Sequence, residues 1–236
     1  VYWSARFPKY FHCSSVMPTS RPDRAFAVFG GTFDPIHLAH LACAQYVLKH
    51  CAVREVQLMP CHLPAHRASP GVSAEHRAAM VQIAIEHIPG VRLQPLELNK
   101  HSPSYTVDSL RLLREQYPRG GLLFVMGMDS LAYFKQWHQW QSILQLAHLV
   151  VCQRPGSTAE DGDCPSLLQQ YGTGSMQDLH LLDAGKIMLL DNPAVDLSAT
   201  RVRALLEKNQ PSGELTQLIP AEVLQYIKAE RLYSGI

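Results

Sequence analysis

Short apolar runs that end in glycine or polar residues alternate with amphipathic stretches of helical spacing along most of this chain. Residues 25–30 (AFAVFG) are continuously apolar and predict a buried strand. Residues 38–50 (LAHLACAQYVLKH) follow with helical character. Residues 53–59 (VREVQLM) are β-branched and alternating, and predict a second strand. Residues 73–87 predict a helix with Ser73 as N-cap and Glu75 in its first turn. Residues 91–98 predict a strand weakened by Pro95. Val107, Leu110, Leu113 and Tyr117 give residues 104–117 a helical spacing. A buried strand over 121–126 (GLLFVM), a helix over 140–146 and strands over 148–152 (HLVVC) and 186–190 (KIMLL) complete the alternation. Residues 155–174, rich in Gly, Ser, Asp and Pro, predict a surface excursion around a short helix near 167–171. Two further helices are expected over 198–208 and 221–229, the second after Pro220.

Alternating strands and helices imply parallel pairing through right-handed crossovers, with helices on both sheet faces. The expected fold is therefore α/β, a doubly wound, mostly parallel sheet with a small C-terminal helical subdomain. The expected division is residues 1–24 as an N-terminal extension, 25–196 as the sheet domain and 197–236 as the helical part. In such sheets ligands sit at the carboxyl ends of the strands, near the point where strand order reverses.

Composition narrows the function classes. The chain has 236 residues, 47% hydrophobic and 17% charged, with a formal net charge of +1. That balance disfavours a protein living on nucleic-acid backbones but leaves small anionic ligands open. Six cysteines without a CxxC pair fit a reduced, cytoplasmic setting better than a disulfide framework. No apolar run approaches the length of a membrane span. Residues 1–16 lack the apolar middle of a signal peptide, and Met17 is the expected natural start.

The densest chemistry follows the first strand, in Gly30-Gly31-Thr32-Phe33-Asp34-Pro35-Ile36-His37-Leu38-Ala39-His40. Glycines there permit a sharp turn, positive φ and close backbone approach to a ligand. The segment is neither a GxGxxG fingerprint nor a Walker loop. A helix starting near Pro35 would put His37 and His40 on one face of its first turn, beside partial positive charge. Alone, HxxH is more often helix surface or half of a zinc site. The preceding GGTFDP alters that balance.

This segment resembles the HxGH signature of the nucleotidyltransferase superfamily, and most resembles the bacterial nicotinate-nucleotide adenylyltransferases. Ala39 stands where the family usually has glycine. Further motifs share the resemblance. Leu63-Pro64-Ala65-His66-Arg67 is similar to a loop that helps hold the mononucleotide phosphate. Ser104-Tyr105-Thr106 is similar to the segment beside the nicotinate ring, and Gly127-Met128-Asp129 to the Gly-x-Asp near the riboses. Trp137, by default a core residue, becomes a stacking partner for the pyridine. Arg154 is open between a phosphate contact and a cap on the sheet edge. Leu197-Ser198-Ala199-Thr200-Arg201-Val202-Arg203 resembles the family's Ser-x-Thr-x-x-Arg motif. Ser198 is also a good N-cap in its own right.

The resemblance runs from about Ala25 to Tyr233 and implies a Rossmann-like nucleotidyltransferase joining nicotinate mononucleotide to the α-phosphorus of ATP. It implies catalytic roles for His37 and His40. Gly30, Gly31, Thr32, Phe33, Gly127, Asp129, Ser198, Thr200 and Arg203 would bind ATP. His66, Arg67, Tyr105, Thr106, Trp137 and Arg154 would bind the acceptor. Mg²⁺ would arrive with ATP and no resident metal is expected; Cys61, His62 and His66 lack a fourth ligand at a standard spacing. Alternatives are transfer to nicotinamide mononucleotide or phosphopantetheine, and a non-catalytic nucleotide sensor. No membrane or nucleic-acid partner is expected, and the oligomeric state is left open.

Overall fold

Six strands form one sheet: β1 Phe26–Gly31, β2 Val56–Pro60, β3 Val91–Leu93, β4 Leu122–Gly127, β5 His148–Cys152 and β6 Ile187–Leu189. Their order is β3-β2-β1-β4-β5-β6 and every pairing is parallel. The computed structural model describes residues 25–62, 71–98, 105–193, 195–208 and 212–233. The N-terminal extension and the loop carrying His66 and Arg67 lie outside the described residues, as does Ser104.

Ten α-helices accompany the sheet among the described residues. They are α1 Leu38–His50, α2 Ala74–Ile85, α3 Thr106–Gln116, α4 Met128–Leu131, α5 Trp140–Leu146, α6 Cys164–Tyr171, α7 Met176–Leu181, α8 Ala199–Glu207, α9 Ser212–Leu215 and α10 Ala221–Ala229. None is long and apolar enough to cross a membrane.

Strand residues alternate between two cores, as the two-residue period of a strand requires. Ala27, Val125 and Val150 point into one, where α1, α2, α8 and α10 pack through Val47, Met80, Val202 and Val223. Val28, Phe124 and Val151 point into the other, filled by Leu110 of α3, Ile143 of α5 and Leu167 of α6. The C-terminal helices thus share a core with α1 and α2. Strand order reverses between β1 and β4, and the carboxyl ends of those strands carry Gly31 and Gly127.

Several boundaries differ from the expectation. Helix α1 begins at Leu38, with His37 as its N-cap, instead of near Pro35. A turn precedes it: Phe33 adopts φ +49 and residues 34–35 form a turn before the chain winds. Strand β3 ends at Leu93: the Gln94 N–H completes the parallel ladder by donating to the Leu58 carbonyl, and Pro95, which has no N–H to give, follows. Helix α6 starts at Cys164, three residues before the predicted short helix, with Pro165 in its first turn.

Candidate active site

The carboxyl ends of β1, β2, β4 and β5 open into a single cleft of about 1180 Å³. His37 and His40, Tyr105 and Thr106, Gly127 and Asp129, Trp137, Arg154, Ser198, Thr200 and Arg203 all line it, as do Gly30 to Phe33. Residues up to about 170 positions apart in sequence are thereby brought together.

The glycines of β1 serve space. Neither Gly30 nor Gly31 takes positive φ; that conformation falls on Phe33. A Cβ on Gly31 would lie 2.9 Å from the Phe33 ring, and one on Gly30 would lie 3.1 Å from Phe124. The expected sharp turn is therefore displaced by two residues, and the glycines let aromatic rings close over the strand end.

His37 and His40 stack, with ring centroids 3.6 Å apart and planes 18° from parallel. The His37 backbone N–H donates to His40 Nδ1 at 3.3 Å. An accepting Nδ1 leaves the neutral ring's proton on Nε2, so His40 can donate a hydrogen bond without being charged. His37 is 2% exposed, and neither of its ring nitrogens has a partner among the described residues. Burial, then the nearby Arg154 cation, lowers its pKa to about 4. Burial lowers His40 well below the ordinary imidazole value, with His37 and Arg154 adding to the effect. Two stacked rings cannot both be charged cheaply, and here both are neutral at neutral pH.

Opposite the imidazoles, Arg154 Nη1 pairs with Asp129 Oδ2 at 2.9 Å. A Cβ on Gly127 would come within 2.4 Å of Asp129 Oδ1, so glycine there leaves room for the carboxylate. Asn192 ties the ends of β5 and β6 together: its Oδ1 accepts from the Gln153 N–H at 2.7 Å. Also lining the cleft, Ser198 caps α8 by accepting from the Arg201 N–H at 3.2 Å. Arg203 donates from Nη2 to Thr200 Oγ1 at 3.3 Å, which places two members of the Ser-x-Thr-x-x-Arg motif in contact. Arg201 points away and is exposed.

Trp137 is half-buried against Phe134 and Phe124, with centroid distances of 5.6 and 6.2 Å, and still faces the cleft. Tyr105 is the N-cap residue of α3 and lies 4.7 Å from the His138 ring. An aromatic wall and the start of a helix therefore sit side by side.

Two organising residues escape sequence reasoning. Arg77, 1% exposed on α2, donates to the Thr32 carbonyl at 2.7 Å and the His62 carbonyl at 2.9 Å, joining the ends of β1 and β2. Asp34, 5% exposed, accepts from the Gly71 N–H at 2.8 Å and the Tyr233 hydroxyl at 2.6 Å. Arg77 reads locally as an ordinary helix cation. Asp34 carries a signal only as part of the GGTFDP string.

A stacked, uncharged imidazole pair, two arginines and two hydroxyls around one cleft suit a polyphosphate; an aromatic wall suits a flat ring. Comparison with known proteins agrees. The cytidylyltransferase-like family model matches residues 28–205. An Aeromonas hydrophila protein named probable nicotinate-nucleotide adenylyltransferase is 44% identical over 207 residues, covering 87% of this chain and 95% of its own. A Salmonella gallinarum protein of the same name is 40% identical, covering 88% and 97%. A solved Plasmodium falciparum nicotinic acid mononucleotide adenylyltransferase, complexed with NaAD, superposes with a TM-score of 0.69 at 20% identity, covering 89% of this chain and 97% of that one.

Proposed function

Because the chain belongs to the nicotinate-nucleotide adenylyltransferases of the cytidylyltransferase-like family, we propose that its cleft brings ATP and nicotinate mononucleotide together for adenylyl transfer. The enzyme transfers the adenylyl group of ATP to nicotinate mononucleotide, giving nicotinate adenine dinucleotide and pyrophosphate, a step in NAD biosynthesis. A cytoplasmic setting suits this substrate pair.

The attacking group is a phosphate oxygen that is already an anion, so the reaction needs no general base. Catalysis then comes from alignment and from neutralising charge at the α-phosphorus and the leaving pyrophosphate. In this reading His37 and His40 grip the triphosphate, with the His40 Nε2–H nearest the α-phosphate. Ser198, Thr200 and Arg203 take the β- and γ-phosphates. Gly30 to Phe33 and Gly127 let the nucleotide approach the strand ends, and Asp129 faces a ribose. Trp137 stacks on the pyridine, and the α3 amides near Tyr105 and Thr106 meet the ring carboxylate. Arg154, with His66 and Arg67, takes the mononucleotide phosphate. Mg²⁺ enters as part of the substrate, bound by the triphosphate and its own waters.

The observation that best supports this assignment is the stacked His37–His40 pair, with the His37 ring nitrogens unpartnered among the described residues, in the same cleft as Arg154 and Arg203. The test is to incubate the protein with ATP, Mg²⁺ and one acceptor at a time: nicotinate mononucleotide, nicotinamide mononucleotide or phosphopantetheine. Pyrophosphate should appear fastest with the first, and chelation of Mg²⁺ should stop it. Release with none of the three would favour a nucleotide sensor.

A further inference from the structure

None of the steps above uses the buried carboxylate of Asp34, yet three distant parts of the chain converge on it. The Tyr233 hydroxyl donates to Oδ1 at 2.6 Å, and the Gly71 N–H donates to Oδ2 at 2.8 Å. Arg203 donates from Nη1 to the Asp34 carbonyl at 2.6 Å, and the same nitrogen stands 3.8 Å from Oδ2. Its Nη2 reaches Thr200 Oγ1. One edge of the guanidinium fork is thus fixed to the backbone of the β1–α1 turn while the side chain still lines the cleft.

The 3.8 Å separation is informative. Arginine and a free carboxylate normally close into a bidentate, fork-to-fork pair. Here each carboxylate oxygen already accepts a shorter hydrogen bond, one from Tyr233 and one from Gly71. Asp34 therefore holds Arg203 through its carbonyl, and the guanidinium remains available on the cleft side.

Tyr233 reaches this place by an unfavoured route. Arg231 and Tyr233 both have positive φ, +53 and +58, on either side of Leu232, whose N–H donates to the Ile227 carbonyl at 2.9 Å. Side-chain-bearing residues rarely adopt that region, and such conformations persist only where their surroundings hold them. Burial, and then the bond to Asp34, raise the Tyr233 phenol's pKa, so it stays a donor at every working pH.

We infer that Asp34 and Tyr233 are positioning residues for ATP. The turn that follows α10 saturates the Asp34 carboxylate, and the saturated carboxylate leaves Arg203 free to meet the triphosphate. The inference rests on the assignment of Arg203 to the β- and γ-phosphates. Removing the Tyr233 hydroxyl would free Oδ1 to compete with phosphate for the guanidinium.

Steady-state kinetics on the full chain and on Tyr233→Phe, Arg203→Ala and the double variant test it. Tyr233→Phe should raise KM for ATP about threefold to tenfold, the scale of one ordinary hydrogen bond. Its kcat and its KM for nicotinate mononucleotide should stay within about twofold of the parent. Arg203→Ala should raise KM for ATP further, and Phe at position 233 should then add nothing, because a residue acting through another is silent once that other is gone. Additive effects would mean that Tyr233 acts through general stability, and an unchanged KM for ATP in Tyr233→Phe would mean that it does not act on ATP; either overturns the inference and leaves the function standing. An unchanged KM for ATP in Arg203→Ala would instead remove Arg203 from the phosphate site, and the positioning role with it.

Discussion

The hydrogen bond from the His37 backbone to His40 Nδ1 decides which proton the site offers. With Nδ1 occupied, the Nε2–H is the donor, and it needs no acid to be present. Replacing His40 by Ala should therefore reduce turnover roughly 10²–10³-fold, the cost of one preorganised donor aimed at developing charge; near-normal turnover would take His40 out of that role. The low pKa of His37, about 4 in the free protein, makes a second expectation. A bound triphosphate adds negative charge beside both rings and raises their pKa values. A group with a higher pKa in the complex favours binding below that bound-state value and loses the contribution as pH rises through it. ATP in excess Mg²⁺ should thus bind more tightly as pH falls from neutral toward about 4, with proton uptake on that side. Titration calorimetry in buffers of different ionisation heat reads that uptake; heats independent of the buffer would separate His37 from the triphosphate. The two histidines were legible in sequence because a short string of residue types carries them. Arg77 was not, because AEHRAAM looks like any helix, and only the fold turns that cation inward to three backbone carbonyls.

Elements with a sustained period and a recognisable cap were legible nearly to the residue. Trp140–Leu146, His148–Cys152 and Ala221–Ala229 have the predicted limits. Helix α4, the 3-10 turn Phe134–Gln136 and helices α7 and α9 did not show, since pieces of three to six residues are too short for a period. They are held by tertiary contacts, as Leu179 of α7 is by the core. Helix α8 joins both kinds of signal. Its N-cap, Ser198, was predicted on helix chemistry alone, and the side chain does accept from the Arg201 N–H. Ser198→Ala should lower stability by about 1 kcal/mol through loss of that cap. Urea unfolding checks it, and an unchanged midpoint would mean that the first turn of α8 is held by other contacts.

Across the whole molecule, one sheet separates two cores, and the C-terminal helices belong to the core that also holds α1 and α2. The domain division drawn from sequence set residues 197–236 apart as a small C-terminal helical part. Helical periodicity marks where they begin but is silent on what they pack against. Their apolar residues, Val202, Ile219, Val223 and Ile227, interleave with residues of the first half of the chain. Leu110→Ala in one core and Val223→Ala in the other should accordingly lower a single unfolding transition, the first by about 2–5 kcal/mol. Calorimetry that splits the transition in Val223→Ala would show instead that the C-terminal helices unfold as a unit of their own.

The crowding of Gly31 by the Phe33 ring also bears on how such a sequence can change over generations. A methyl group at position 31 is obstructed while the ring is present, yet the obstruction disappears if position 33 first exchanges its aromatic for a smaller side chain. The two positions are therefore coupled: alanine at 31 requires the Phe33 ring to shift, and a prior change at 33 removes that requirement.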